Sequence, residues 1–427
     1  MAILKRVLPV MIVGLALLTS RPMYVQAQAA EGFQAELSAS FIYGEAVIFD
    51  VAASSTQPLT GARLTVQVAN RSTLYTESVA VSPDLTITLT HSVPVSTLEL
   101  PPFARLTYYW DFQDNTGREY RTSTQSLLYE DTSVPWQWSV ESRGVISVHT
   151  NGEDETLTRA ALDIASTALA QASDLLATPV SEEVHIYIYP ELAQLAYSLR
   201  LHGRRVQDWI AAYTIPDQYA VFISASTGPE MMANLQRDLP HEMMHLAVYT
   251  AAGPHPDAVP AWFNEGLALM SSAEPDPTLR NILDSAVNEG VLLSLEPLCT
   301  SNFNSFDPHD AALAYAQSES LMRYISNRYG TSQLRALMAA FAEGLSCEAA
   351  AERALGLSLT GLEEQWHNDL VRTAARSPRT TSSLLPWLIV WMISWGVALL
   401  FIAPQPRQPD ETPPTRGTPL QSPSRPN

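Results

Sequence analysis

Between Phe33 and Asp131 apolar and polar residues alternate in short runs. Glu45–Val51, Ala62–Val68, Leu85–Thr90 and Arg105–Phe112 each keep a period of two, the spacing that turns one face of a strand to a core. Turn residues such as Asp114, Asn115, Thr116 and Gly117 separate the runs. Roughly six or seven short strands in about a hundred residues predict an all-β sandwich of immunoglobulin or fibronectin type III character over 33–131. Val134, Pro135 and Trp136 mark a boundary, and from Trp138 the period changes. The pattern predicts strand at Val145–Val148, helix at Glu155–Leu176, strand at Val184–Tyr189, helix at Glu191–Leu201, strand at Ala220–Ser224 and helix at Met231–Ala252. Helical periods then recur over Thr278–Asn288, Asp310–Tyr329, Ser332–Glu343 and Thr360–Ala374. Residues 138–372 therefore read as an α+β domain.

Both ends of the chain carry a different pattern. Lys5 and Arg6 precede an apolar run, Val7–Leu18, and small residues surround Ala27. This is the make-up of a secretory signal over 1–27, with an uncleaved N-terminal anchor as the alternative. Leu384 to Ala403 is long enough to span a bilayer and has no ionisable side chain, so a transmembrane helix is expected over 384–403. Arginines flank it on both sides, so its orientation rests on the export signal: body outside, tail inside. Residues 404–427 are rich in Pro, Thr, Ser and Gln and read as a disordered tail. The chain of 427 residues is thus multidomain, and its formal charge of −19 argues against a nucleic-acid partner.

Candidate chemistry concentrates in the helix predicted at Met231–Ala252. It contains His241-Glu242-Met243-Met244-His245, an H-E-x-x-H run. Side chains four apart share a helix face, so both imidazoles can bind one metal ion, for which zinc is suited. Glu242 is rotated away from that pair and can reach a metal-activated water, the position of a general base. Gly253 followed by Pro254 stops the helix, and Pro260 suits the start of another. That second helix carries Trp262-Phe263-Asn264-Glu265-Gly266-Leu267-Ala268, and antiparallel packing can bring Glu265 to the His pair as third ligand. Pro240 implies either a fresh helix start capped by Asp238 or a kink. Cys299 and Cys347 lack zinc-knuckle spacing; in an exported chain they form either a disulfide or two buried thiols.

H-E-x-x-H followed by W-x-N-E-G-x-A resembles the gluzincins, and within them the peptidase MA-like domains. Nineteen residues separate His245 from Glu265, one more than the usual gluzincin gap, and the Pro-rich turn can hold the extra residue. The metzincin pattern needs a third His where Ala251 stands. The resemblance implies a zincin-like peptidase fold, a Zn²⁺ cofactor held by His241, His245 and Glu265, and peptide or protein substrates. It implies a sheet whose edge strand, here Ala220–Ser224, lines the substrate cleft. It also implies an oxyanion donor, Tyr or His, well downstream of the third ligand; Tyr315 and His309 are the candidates. A donor must be preorganised, which favours Tyr315 in its helix over His309 in a loop. The expected function is a membrane-anchored, extracytoplasmic zinc peptidase with Glu242 and Tyr315 catalytic, and no G-x-M-E-N segment points to exopeptidase action. Two alternatives stand beside it: a catalytically inactive zincin-like binding protein at the cell surface, and a non-proteolytic zinc hydrolase.

Overall fold

The computed structural model describes residues 25–26, 32–202, 212–225, 228–272 and 276–376. Contacts divide the chain into two compact units, Met1–Val371 and Arg372–Asn427. The first unit begins with strands β1 (Val25–Gln26), β2 (Phe33–Ile42), β3 (Ala46–Val68), β4 (Leu74–Val79) and β5 (Asp84–Pro94). A short helix α1 (Val95–Leu98) leads to β6 (Arg105–Asp114), β7 (Glu119–Arg121) and β8 (Gln125–Leu128). The first part of β3 pairs antiparallel with β2 and β5, and its second part with β4 and β6. The register slips between Ser54 and Leu59, where Pro58 has no N–H to give to a ladder. Alternate β3 residues, among them Phe49, Val51, Leu64 and Val66, are buried with Trp110 and Phe112 in one core. The two strands expected over Glu45–Val51 and Ala62–Val68 are therefore one strand that changes partners at an irregularity.

After this β unit come β9 (Ser139–Arg143), β10 (Ile146–Thr150), α2 (Glu155–Leu176), β11 (Val184–Tyr189), α3 (Leu192–Leu201), β12 (Ala212–Ile215), β13 (Ala220–Ser224) and α4 (Met231–Ala252). Across the sheet the order is β12, β13, β11, β10, β9. The three middle strands are parallel, and β9 and β12 are antiparallel edges. Ile186, Ile188, Val221 and Ile223 face α2 and α4 in a large core. Tyr187, Tyr189 and Phe222 face the opposite way, against Leu195 and Leu199 of α3 and Phe103 of the β unit. Burial on both faces explains why β11 and β13 read as nearly continuous apolar runs. Asp154 caps α2 by accepting the Thr156 and Leu157 N–H groups. The expectation that Ala220–Ser224 forms the edge is corrected: β13 lies inside the sheet, and the edge is β12.

The remaining elements are helical: α5 (Ala261–Ser271), α6 (Pro277–Glu289), α7 (Leu295–Thr300), α8 (Pro308–Tyr329), α9 (Thr331–Ala342), α10 (Cys347–Leu355) and α11 (Leu359–Arg376). Cys299 of α7 and Cys347 of α10 are joined in a disulfide, so of the two readings of these cysteines the bonded one holds. Trp262 of α5 donates its indole N–H to Cys347 Sγ at 3.4 Å.

A β-rich N-terminal part and an α+β part fit two elements of the expected fold class at that coarse level; the β-rich strands pair in one eight-stranded sheet. The third element of that class, a transmembrane helix, is corrected: among the described residues no helix is long and apolar enough to cross a membrane. The segment 384–403 itself, the tail 404–427 and, of the expected signal, residues 1–24 and 27 lie outside the described residues. Val25 and Gln26, from the end of that expected signal, pair with Leu37 and Glu36 of β2.

Candidate active site

Helix α4 is one helix from Met231 to Ala252 with Pro240 inside it and Glu230 at its N-cap, so of the two readings at Pro240 the fresh start capped by Asp238 does not hold. Pro240 only withholds one hydrogen bond from the turn before His241. The regular turn that follows sets His241 and His245 on one face, with ring centroids 4.8 Å apart and planes at 87°. Their Nε2 atoms are 3.2 Å apart. Glu265, four residues after the first residue of α5, places Oε2 3.7 Å from each of them. Among the described residues this is the one group of three or more His, Cys, Asp or Glu side chains that converges tightly enough for a metal ion.

The donor set fits zinc. Bonds of about 2.0–2.2 Å in a tetrahedron put neighbouring ligand atoms about 3.3–3.6 Å apart, and the three separations here lie close to that range. The His245 ring is turned by its neighbour: Nδ1 lies 3.0 Å from Asn264 Oδ1. The amide oxygen can only accept, so Nδ1 carries the proton and Nε2 keeps its lone pair for the cluster. Asn264 is a partner of His245 that stood inside the W-x-N-E motif with no task assigned to it. Its one signal was adjacency to Glu265.

Electrostatics set the roles apart. Burial, with His245 beside it, drives the His241 imidazole well below its ordinary pKa. Burial works against a charge on His245 too, but Glu265, Glu242 and Asn264 outweigh it and raise its pKa. Burial also raises Glu265, partly offset by His245. Glu242 is buried, and desolvation raises its carboxyl to about 7, although His245 and a hydrogen bond from Thr214 Oγ1 oppose the shift. A carboxyl that gains and loses a proton near neutrality suits a general base. Thr214, on the edge strand β12, is a partner of Glu242 that the sequence did not single out. A lone Thr in a four-residue strand gives no signal.

The structure separates the two oxyanion candidates. Tyr315, in α8, is partly buried, with its ring edge-on to Phe303 at 5.2 Å. Burial and the nearby charges of Glu265 and Glu242 hold its phenol far above the usual pKa, which places it within electrostatic reach of the site and keeps it a proton donor. His309 is the second residue of the same helix and not in the loop expected for it; its side chain is 76% exposed, with Nδ1 3.4 Å from Asp310. Gly266 explains how α8 comes so close. A Cβ there would lie 2.4 Å from Met322 Cγ and 2.5 Å from the Ser318 carbonyl oxygen, so only glycine lets α5 meet α8 at this depth.

Two helices delivering His, His and Glu to one point, with a buried Glu between the His residues in sequence, define a gluzincin-type centre. Residues 164–372 match the family model for the Peptidase MA superfamily, which supports a gluzincin, peptidase MA-like domain over this part of the chain. No curated protein matches the sequence. Among solved structures, a mutant M1 zinc metallopeptidase from Deinococcus radiodurans is 13% identical with a TM-score of 0.35, covering 75% of this chain and 90% of its own. A two-domain M1 zinc metallopeptidase mutant bound to L-arginine is 13% identical with a TM-score of 0.33, covering 78% and 90%. A Br derivative of BhCBM56 is 12% identical with a TM-score of 0.17 and covers 24% of this chain and 99% of its own. Likenesses this remote add nothing about chemistry.

Proposed function

We propose that this chain is an exported zinc peptidase that cleaves peptide bonds within polypeptides. The observation that carries the reading is the convergence of His241, His245 and Glu265 beside the buried carboxyl of Glu242. His241, His245 and Glu265 would hold the zinc, and the chemistry it would supply there is that of a Lewis acid toward water and a carbonyl oxygen. Asn264 fixes the His245 tautomer. Glu242 takes the proton of the attacking water and hands it to the leaving amine, a relay suited to a group titrating near neutrality. Tyr315 donates its phenolic hydrogen to the oxyanion that develops on the scissile carbonyl. The intact base speaks against a decayed binding protein, since a purely structural zinc site has no use for Glu242. Internal cleavage is favoured over removal of terminal residues because the sequence holds no G-x-M-E-N segment to bind a free amine.

The Cys299–Cys347 disulfide and the signal-like start of the chain support an oxidising, extracytoplasmic location. The test is cleavage of a peptide library by the purified full chain, with metal analysis. Wild type is expected to bind about one zinc and to lose activity to a chelator. Glu242→Gln should keep zinc and lose turnover, while Glu265→Ala should lose both. Turnover by Glu242→Gln at the wild-type rate would overturn the mechanism.

A further inference from the structure

The base of this site is held from a strand that no motif marks. Thr214 Oγ1 donates to Glu242 Oε2 and also lies 3.5 Å from the Glu242 backbone carbonyl oxygen. A carboxylate has two oxygens, so a hydroxyl bound at Oε2 leaves Oε1 to meet water and fixes the plane in which it does so. Thr214 sits in β12, a four-residue edge strand paired on one side only, with Thr214 opposite Val221 of β13. So short an edge strand frays unless something outside the sheet ties it down.

That tie comes from the N-terminal β unit. The turn that closes β12 onto β13 is Pro216–Gln218. Arg71 Nε is 2.8 Å from Asp217 Oδ2, and the Arg71 guanidinium is itself seated on the carbonyl of Glu99 at 3.0 Å. Gln218 Nε2 donates to the carbonyl of Ala69 at 2.9 Å. Both ions of the Arg71–Asp217 pair are largely withdrawn from solvent, with side chains 22% and 28% exposed, where a fixed guanidinium fork holds position better than a mobile surface pair.

We infer that Thr214 is a positioning residue for Glu242, and that the β unit holds Thr214 in place through Arg71 and Asp217. The β unit is then part of the catalytic machinery although it supplies no reacting atom. This rests on the peptidase reading above. The experiment is steady-state kinetics of the full zinc-loaded chain on a peptide that wild type cleaves. Thr214→Val, which keeps the shape and loses the hydroxyl, should lower kcat by ~10- to 100-fold, the usual worth of a hydrogen bond to a charged group. KM should stay within about twofold and zinc content should stay whole, because the lost bond acts on the base and not on ligands. Thr214→Ser should recover most of the rate. Arg71→Met should lower kcat less, and in the Thr214→Val background it should lower it no further, since its effect passes through the absent hydroxyl.

Wild-type kcat in Thr214→Val, or a Thr214→Ser variant as slow as Thr214→Val, overturns the positioning role. A double variant slower by the product of the two single effects overturns the route from Arg71. A zinc-loaded wild type that cleaves no peptide overturns the peptidase reading itself, and the positioning role with it; that result is distinct, since the first two require an active wild type.

Discussion

His241, Glu242, His245 and Glu265 could be read from the sequence because their geometry is local. One turn of helix fixes the first three relative to each other, and one Pro-rich turn returns the fourth. Thr214 and Asn264 could not be read that way. Thr214 acts across a sheet edge, 28 positions from its partner, and nothing in Ala212–Ile215 announces the contact. Tyr315 lies between these cases: resemblance nominated it together with His309, and in the structure burial and the charges of Glu265 and Glu242 raise the Tyr315 phenol, while the His309 side chain is 76% exposed against Asp310. Its role yields a sharp expectation. Tyr315→Phe should lower kcat by ~10²–10³, the usual cost of losing one oxyanion donor. Zinc content and thermal midpoint should not move, because only a hydroxyl is removed from a ring whose seat on Phe303 is unchanged. His309→Ala should match wild type. Kinetics in which His309→Ala is the slow variant would move the assignment to the start of α8.

At the scale of elements, long periodic segments were legible and short or merged ones were not. α2, β11, β13 and α4 have the boundaries that periodicity gave them. β12, at four residues, is too short for alternation to register, and missing it led to the wrong edge of the sheet. β3 looked like two strands because Pro58 and Gly61 are turn residues in most settings; here they lie where a continuous strand shifts register. Gly266 shows an element-scale constraint written as one letter. In a helix interior glycine ordinarily costs about 0.5–1 kcal/mol against alanine. At this position alanine has nowhere to go, because the obstruction includes the backbone of α8 at Ser318 and not only the flexible end of Met322. Gly266→Ala should therefore lower stability by about 1–3 kcal/mol, the usual cost of overpacking. It should also slow turnover, since α8 carries Tyr315. Equal or higher stability in denaturant melts would show that α8 yields freely.

For the molecule as a whole, composition and periodicity located a β-rich part and an α+β part, yet gave no hint of how they join. The join is aromatic and histidine-rich. Phe103 of the β unit stacks on Tyr187 at 3.7 Å, and Tyr187 stacks on His149 at 4.3 Å. His149 Nε2 is 3.1 Å from His185 Nδ1, a contact possible only while one ring nitrogen accepts. Burial pushes His149 down to about 3, with His185 and Arg105 adding to the shift. Burial also lowers His185, helped by Arg105 and opposed by Glu183. In the unfolded chain both rings titrate near 6.5. Between 6.5 and about 3 the unfolded state thus binds protons that the folded state refuses, so stability falls as pH falls through that window and is complete above it. The raised carboxyls of Glu242 and Glu265 act in the opposite sense between neutrality and their ordinary range, so the absolute profile mixes both signs. A difference measurement isolates the join. His149→Gln keeps a hydrogen-bonding partner for His185 and cannot take up a proton. Urea melts of the full chain from pH 7 to 4 should show wild type losing more stability than His149→Gln on acidification, with the gap opening below about 6.5. Parallel profiles for the two proteins would mean that the histidine pair at the join does not govern acid stability.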